Sequence, residues 1–346
     1  MAPDDEGGRS AVSEQGKGPV TINDVARECG VAASTVSRAF SRPGRVSSAT
    51  AQRIHDAAER LGYRSEPLFR APVRSRAGVI TLAVSDITNP YYFGVIRGAE
   101  HAAAEADVSL VVADCRESAA QERQVLRRTL AASDGLIVTS SRLSDTELRG
   151  LARQVPLVVL NRRVPGLPCV HPDNARGVRR SVEHLASLGH TRIGYVAGPD
   201  ASWADGARWR AVREACHELM LTDVRIGPVQ PTMVGGRVAA EEIVRAGLTA
   251  VQTYNDQVGV GVIRGLQELG VEVPDEVSVV GFDNTISADI VRPGLTTVAQ
   301  PVTVLGEIAA RAVLAQVAGG TESREQTQVV PVRLVVRGST GPVRTA

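Results

Sequence analysis

The sequence predicts an α/β protein with a small helical headpiece at its amino-terminal end and a two-lobed core of doubly wound parallel sheets. Three observations support this class. Two short helical stretches, separated at Gly30-Val31, stand near the start of the 346-residue chain. From Val79 onward, short apolar runs alternate with amphipathic helical stretches, a pattern typical of parallel sheets covered by helices. This alternation continues too long for one compact sheet, which favours two lobes.

Seven runs are predicted as strands and five as helices. The strands are 79–85, 108–114, 135–140, 156–161, 192–198, 249–255 and 277–282, and the helices are 92–106, 119–132, 174–188, 206–220 and 256–269. The chain is expected to change lobe near residues 174, 295 and 329. We therefore predict a tail over 1–19, a headpiece over 20–64, a linker over 65–77 and a core over 78–340. One lobe comprises about 78–173 and 297–320, and the other about 174–296 and 327–340.

Composition excludes several classes of protein. Hydrophobic residues make up 43% of the chain, but no apolar run approaches the roughly 20 residues needed to cross a bilayer. The first 19 residues are acidic and lack an apolar segment, so they resemble a disordered tail and not a signal peptide. The four cysteines are scattered without a CxxC pair, which argues against disulfides and a zinc site. These features predict a cytoplasmic protein.

The stretch from Thr21 to Phe40 has the spacing of a helix-turn-helix. Thr21 and Asp24 can cap a first helix, Gly30 can end it, and Ser47 or Ser48 can cap a third helix. The second helix, 33–40, is small and polar, as a helix that enters the DNA major groove must be. In it, Arg38 is suited to a bidentate contact with guanine. Residues 20–76 carry ten arginines against five acidic residues, a local net charge of +5 that also suits nucleic acid.

Two segments, TINDVARECGVAASTVSRAF and RVSSATAQRIHDAAERLGYR, resemble the DNA-binding headpiece of the lactose-repressor/galactose-repressor (LacI/GalR) family. TVSR and the LGY that ends at Tyr63 match family positions, whereas Ala32 replaces a usual serine. The resemblance implies that bases are read by Ala33, Ser34 and Arg38, and that phosphates are held by Thr21, Thr35, Ser37, Arg45 and Ser47. In this family a hinge helix wedges a leucine into the minor groove. Here Pro72 occupies that position, and a one-residue shift would bring Val73 there; a plain arginine-rich linker is the alternative.

Polar and aromatic residues follow the predicted core strands, in the segments SDITNPYYFG, NRR, YND and FDN. Ligands of such sheets bind outside the carboxyl ends of the strands, and this mixture of groups suits sugar hydroxyls and ring faces. The core also resembles the periplasmic sugar-binding protein fold. That resemblance implies an effector site lined by Tyr91, Tyr92, Asn161, Asn255 and Asp283, to which the strand-end position adds Asp86. Asp205-Gly206 occupies the usual place of an effector-holding arginine, so Arg208 is the nearest substitute and Trp203 is a further candidate.

No catalytic nucleophile–base pair, P-loop or metal spacing is present, so the sequence predicts neither an enzyme nor a cofactor or metal. Gly259, Gly261 and Gly265 have the wrong spacing for a dinucleotide loop. We therefore expect a repressor of carbohydrate-utilisation genes that binds double-stranded operator DNA and a small sugar-like effector. It would act as a homodimer or a higher assembly, with helices 92–106 and 256–269 as candidate contacts. A purine, nucleoside or other non-sugar effector, and activation in place of repression, remain open; a transport binding protein and an α/β enzyme are the rival classes.

Overall fold

The computed structural model describes residues 20–41, 46–61, 77–320 and 327–344, and the chain divides into two units, Met1–Leu68 and Phe69–Ala346. The tail predicted over 1–19 and nearly all of the linker predicted over 65–77 lie outside the described residues. Within the described part of the chain, no helix combines the length and apolarity needed to cross a membrane.

The first unit contains three helices, α1 (Ile22–Cys29), α2 (Ala33–Ser41) and α3 (Ser48–Leu61). Gly30 ends α1 in the left-handed conformation, with φ at 63°, which lets the Val31 N–H donate to the Ala26 carbonyl at 3.0 Å. Ser47 caps α3 by accepting the Thr50 N–H at 3.3 Å. The predicted arrangement of caps is therefore present. The helices enclose a small apolar core made of Val25, Ala26, Cys29, Val36, Ala39, Ile54, Ala57 and Ala58.

The second unit contains two six-stranded sheets. The first has strand order β11-β5-β4-β3-β1-β2, and its neighbours are all parallel; the second has order β12-β10-β9-β8-β6-β7, and only β12 runs antiparallel to its neighbour. The first lobe consists of β1 (Val79–Val84), α4 (Tyr91–Glu105), β2 (Ser109–Asp114), α5 (Ala119–Leu130), β3 (Gly135–Thr139), α6 (Asp145–Ala152), β4 (Leu157–Leu160), β5 (Cys169–Pro172), α12 (Val302–Val317) and β11 (Thr327–Val330). The second consists of α7 (Asn174–Ser187), β6 (Arg192–Val196), α8 (Trp203–Glu218), β7 (Thr222–Ile226), α9 (Met233–Arg245), β8 (Ala250–Thr253), α10 (Asp256–Glu268), β9 (Ser278–Asp283), α11 (Ile286–Ile290), β10 (Thr296–Ala299) and β12 (Arg333–Val335).

The sheets correct the lobe boundaries that the sequence predicts. The crossing near 174 agrees with the structure, because β5 belongs to the first sheet and α7 covers the second. The second crossing falls after residue 299 and not at 297, since β10 pairs with β9. Strand β11, over 327–330, pairs with β5 of the first sheet, so the third crossing comes after Val330. The strands β5, β7, β10, β11 and β12 are not predicted from the sequence; each spans only three to five residues.

In two pairs of helices, glycines let the backbones of the two helices come into direct contact. A Cβ added to Gly98 of α4 would lie 1.9 Å from the Thr303 carbonyl oxygen of α12. In the same way, a Cβ on Gly261 of α10 would lie 2.1 Å from the Met233 carbonyl oxygen of α9. The glycines of α10 are therefore packing residues within a helix, and α10 is buried over most of its length. Helices α4 and α10 correspond to the predicted dimer contacts. Within the bounds given above, Phe93 of α4 is their one large apolar side chain that is exposed.

Candidate DNA-binding and effector-binding sites

Helix α2 is short and polar, and only one of its sides is buried. Val36 and Ala39 are buried against α1 and α3, which accounts for the apolar positions of this helix. Ser34, Ser37 and Arg38 are exposed. Ala33 and Thr35 are half-buried. The exposed face thus carries hydroxyls and one guanidinium and no large apolar side chain among its described residues, so it leaves room for the floor of a DNA groove.

Of the remaining predicted DNA contacts, two hydroxyl residues form hydrogen bonds at helix ends, and three residues are not described. The Thr21 N–H and hydroxyl donate to the Asp24 carboxylate at 2.8 and 2.6 Å, and these bonds lower the pKa of Asp24. Ser47 is exposed and donates its hydroxyl to Thr50 at 2.8 Å. Both hydroxyls therefore hold helix ends together in this structure. The other predicted contacts, Arg45, Tyr63 and Pro72, lie outside the described residues.

In the first lobe, a chain of hydrogen bonds joins residues at the carboxyl ends of three strands. The Tyr92 hydroxyl lies 2.7 Å from Ser85 Oγ and 3.2 Å from Ser140 Oγ, and Asn161 Nδ2 donates to Ser140 Oγ at 2.8 Å. Burial raises the pKa of Tyr92 to about 12, so the phenol stays protonated. Asn161 Oδ1 is buried and has no hydrogen-bond partner among the described residues. A buried amide oxygen without a partner is an acceptor suited to a ligand hydroxyl.

In the second lobe, the centre of the site is Arg208, which is 3% exposed. Its Nε donates to Asn174 Oδ1 at 3.0 Å and Nη1 donates to the Tyr254 carbonyl at 2.5 Å. Its Nη2 lies 3.8 Å from Asp283 Oδ1, and the guanidinium stacks 3.7 Å above the centre of the Phe282 ring. The predicted substitute arginine is thus buried and oriented from several sides.

Gln300 connects the two groups of residues across the lobes. Its Nε2 donates to Asp283 Oδ1 at 2.6 Å, and its Oε1 accepts from the Tyr91 hydroxyl at 3.4 Å. Asp283 has a φ of 119°, a rare conformation for a residue with a side chain. Burial raises the pKa of Asp283 well above its ordinary range, and Arg208 opposes that rise. The predicted residues Tyr91, Arg208 and Asp283 therefore share one hydrogen-bonded and ion-paired network.

The other predicted effector residues are placed around this network. Asn255 caps α10: its Oδ1 accepts the Val258 N–H at 2.9 Å and its Nδ2 lies 3.4 Å from the Pro231 carbonyl. Asp86 closes a turn by accepting from the Thr88 N–H and hydroxyl. Trp203 is half-buried at the start of α8, and its ring centre lies 5.8 Å from that of His171 in the first lobe. Trp203 therefore lies where the two lobes meet.

Asp205, which the resemblance places where an effector-holding arginine is usual, has an internal role. Its Oδ1 accepts the Tyr195 hydroxyl at 2.9 Å and the Gly198 N–H at 2.7 Å, and its Oδ2 accepts from Arg225 at 3.1 Å. Burial raises the pKa of Asp205, and these donors oppose the rise. These three donors all belong to the second lobe, so Asp205 holds the start of α8 against β6.

A cleft of about 500 Å³ opens between the lobes, and of the predicted effector residues only Asp86 lines it. Asp86, Arg116 and Glu117 line it from the first lobe, and the loops at Pro199-Asp200 and 228–232 line it from the second. A larger surface depression of about 980 Å³ lies near Pro156 and Gly320, at the amino ends of the first lobe's strands. We assign the site to the cleft, because ligands of parallel sheets bind at the carboxyl ends.

The chain matches two family models, "Bacterial regulatory proteins, lacI family" over residues 21–66 and "Periplasmic binding protein-like domain" over 182–340. GalR of Salmonella typhimurium, an HTH-type transcriptional regulator, is 32% identical over 327 residues, which cover 92% of this chain and 95% of GalR. The chain belongs to the LacI/GalR family. It is a DNA-binding transcriptional regulator, and the relatives and structural neighbours of this LacI/GalR protein are regulators and not enzymes.

Solved structures of LacI/GalR proteins agree with this assignment. A complex of the transcriptional regulator CelR with cellobiose has a TM-score of 0.75 and 27% identity, covering 92% of this chain and 99% of CelR. The lac repressor dimer bound to operator and the anti-inducer ONPF has a TM-score of 0.69 and 25% identity, covering 94% of this chain and 100% of that one. Both similarities cover more than nine tenths of this chain.

Four residues that are hydrogen-bonded into these networks of this LacI/GalR protein are not predicted from the sequence: Ser140, Gln300, Arg142 and Glu117. Ser140 ends a strand that the sequence does predict, so the strand-end rule could have found it. Gln300 follows β10, which is too short to be marked as a strand by its pattern. Arg142 is 5% exposed at its side chain, and its Nε donates to Glu117 Oε2 at 3.0 Å. These two residues lie in separate loops 25 positions apart, and nothing in the sequence pairs them.

Proposed function

We propose that the protein is a cytoplasmic repressor of carbohydrate-utilisation genes whose affinity for operator DNA is controlled by a small sugar-like effector bound between the core lobes. One observation carries the proposal: Tyr91 of one lobe is joined through Gln300 to the Arg208–Asp283 pair of the other, in a chain that also carries a helix-turn-helix. The likeness to CelR with cellobiose supports a sugar, and the likeness to the lac repressor on its operator supports repression.

The DNA-binding part of the proposal depends on the exposed face of α2. In it, Ala33, Ser34 and Arg38 contact base edges, while Thr35 and Ser37 contact phosphates. Phosphate contacts set the position of the helix on the duplex but carry no sequence information directly. Arg38 is the one long hydrogen-bond donor on the described part of this face, so it has the largest share in base discrimination, about 1–3 kcal/mol.

The effector part of the proposal depends on groups that are polar but nearly balanced in charge. Arg208 is neutralised by Asp283 and Arg142 by Glu117. A neutral polyhydroxylated ligand can bond the free oxygen of Asn161 and the Asp283 carboxylate without leaving a charge unpaired. Because Gln300 and Tyr91 join the lobes, a ligand that enters here binds open and closed arrangements with different affinity. Only such a difference can change operator affinity.

We further propose a homodimer that presents two headpieces to a near-palindromic operator. Several of the exposed apolar side chains of the second lobe lie on α9 and α11, which both pack against α10. Val234 and Val238 of α9 are 71% and 70% exposed, and Ile286 and Ile290 of α11 are both 66% exposed. Four such side chains facing water are costly for a monomer and are readily covered by a second copy.

Duplex selection tests the DNA-binding part. The full-length protein is used to enrich a preferred site from random duplexes, and Arg38→Ala is compared with Arg27→Ala, which removes another exposed headpiece arginine. We expect Arg38→Ala to reduce discrimination between the preferred site and random DNA by about 5- to 150-fold. Arg27→Ala should leave the preference intact. If Arg38→Ala keeps the preference, α2 is not the recognition helix.

A thermal-shift screen tests the effector part. The purified protein is heated with mono- and disaccharides, sugar phosphates, nucleosides and nucleobases, because a ligand selective for the native state raises the melting temperature. The ligand found is then tested on Asp283→Ala and on the control Asp275→Ala, whose carboxylate is exposed and pairs with Arg344. Asp283→Ala should lose the shift and the control should keep it. A shift only with nucleosides or nucleobases would replace the sugar by a purine-like effector.

A further inference from the structure

Asp134 binds the first described residues of the core, where the chain arrives from the headpiece. Its Oδ1 accepts the Ala77 N–H at 2.8 Å, and its Oδ2 accepts the Gly78 N–H at 2.7 Å and the Val79 N–H at 3.4 Å. In return, the Asp134 N–H donates to the Val79 carbonyl at 2.7 Å. Three backbone donors thus meet one carboxylate. Hydrogen bonds to an ionised acceptor are about twice as strong as neutral ones.

The segment that Asp134 holds is also hydrogen-bonded to the start of the adjoining strand, β2. Gly78 has a φ of 67°, and its carbonyl accepts the Ser109 N–H at 2.8 Å. A side chain at this φ would be strained, so glycine lets the chain turn from Ala77 directly into β1. The carboxylate of Asp134 and the backbone of Ser109 therefore secure the same short segment from two sides.

Asp134 also lies at one end of a strand whose other end reaches the effector cleft. It precedes β3 directly, and Ser140 follows β3 and bonds Tyr92 and Asn161. The span from Asp134 to Ser140 is about 20 Å at 3.3 Å per residue. Gly135, at the start of β3, leaves so little room that an added Cβ would lie 2.7 Å from Val313 Cγ2. The strand is therefore packed tightly and moves with its lobe.

We propose that Asp134 is a positioning residue that fixes the end of the linker to the first lobe, so that movement of this lobe on effector binding is passed to the chain leading to the headpiece. The inference rests on the function proposed above. If Ala77 to Val79 were released, the linker would gain free residues. The headpieces would then be held at a lower effective concentration near the operator, and lobe movement would no longer displace them in step.

The test compares full-length variants by amide hydrogen exchange and by affinity for the duplex selected with wild type. Asp134→Ala removes all three acceptor contacts, and Asp134→Asn replaces one carboxylate oxygen by a donor. Asp107→Asn is the control, because this exposed residue precedes β2 at the same edge of the sheet and its removal changes the charge equally. Asp107 has a φ of 55°, which asparagine tolerates well.

We expect exchange at Gly78 to accelerate at least about tenfold in both Asp134 variants, as the loss of a charge-assisted hydrogen bond implies. Affinity for the selected duplex should fall several-fold. Amide exchange in β3 and the melting temperature should stay near the wild-type values. The control should change neither quantity. Unchanged exchange at Gly78, unchanged duplex affinity despite faster exchange, or a general loss of protection across β3 in both variants would each overturn the proposal. Failure of the wild type to select any duplex would instead count against the proposed function.

Discussion

Replacing Arg208 by methionine should destabilise the core more than any exposed substitution, because it leaves Asp283 buried without its cation. Asp283 is 6% exposed, and after the change only the Gln300 amide, at 2.6 Å, would face its carboxylate among the contacts of the described residues. Breaking a buried ion pair by removing one partner typically costs about 3–5 kcal/mol. Methionine fills most of the volume of the arginine stem, so the loss reflects mainly charge and hydrogen bonding.

The pH dependence of the loss has a definite sign. Burial already raises the pKa of Asp283, and removing Arg208 raises it further. A carboxyl group whose pKa is higher in the folded chain binds more protons when folded, so its contribution to stability is largest below the unfolded pKa and is lost as pH rises through the folded pKa. The deficit of Arg208→Met relative to wild type should therefore grow as pH rises and shrink as pH falls. Asp256, whose pKa is raised to about 6 by burial, also raises the pKa of Asp283, so its titration contributes to the pH dependence of both proteins.

Urea unfolding of the full-length protein at pH 5, 6.5 and 8 measures this deficit. Asp283→Asn is added to Arg208→Met as the matched control, since it removes the uncompensated charge while keeping the shape. The double variant should recover much of the lost stability at pH 8 and show little change of its deficit with pH. A deficit below about 1 kcal/mol, equal at all three pH values, would refute the idea that the Arg208–Asp283 pair is the electrostatic centre of the cleft.

Packing gives three more expected outcomes. Gly98→Ala should destabilise the core by about 1–3 kcal/mol, because the backbone of α12 blocks the new methyl group. Gly206→Ala should stabilise the core by about 0.5–1 kcal/mol, because its added methyl group meets no atom within 4 Å outside the neighbouring backbone of its helix. Chemical denaturation gives both signs, and two changes of equal sign would contradict the packing. Ile54→Ala in the headpiece core should cost about 2–5 kcal/mol and abolish duplex binding while the thermal transition of the core persists, as calorimetry can show. Val238→Asp should shift the protein from dimer to monomer in sedimentation velocity; a dimer of unchanged affinity would exclude α9 from the interface.

The local features of this protein follow from its amino-acid sequence alone. The alternation of strands and helices, the caps at Gly30 and Ser47, and the small polar face of α2 depend on nearest-neighbour sterics and on periodicity. Such features involve residues close together in the chain. The strand-end rule also singles out the segments that contain Tyr92, Asn161 and Asp283, because polar residues after apolar runs mark the carboxyl edge of a parallel sheet.

Which of these residues meet, and what each one does, depends on the tertiary structure. The exchange of β10 and β11 between the predicted lobes depends on pairing between strands more than 10 residues apart, which a three- to five-residue apolar run does not specify. Asp205 and Arg208 stand three positions apart on α8, yet one holds β6 and the other faces Asp283. Gln300 and Asp134 gain their roles from partners distant in sequence. Long-range contacts of this kind depend on how whole elements pack, and no local pattern encodes them.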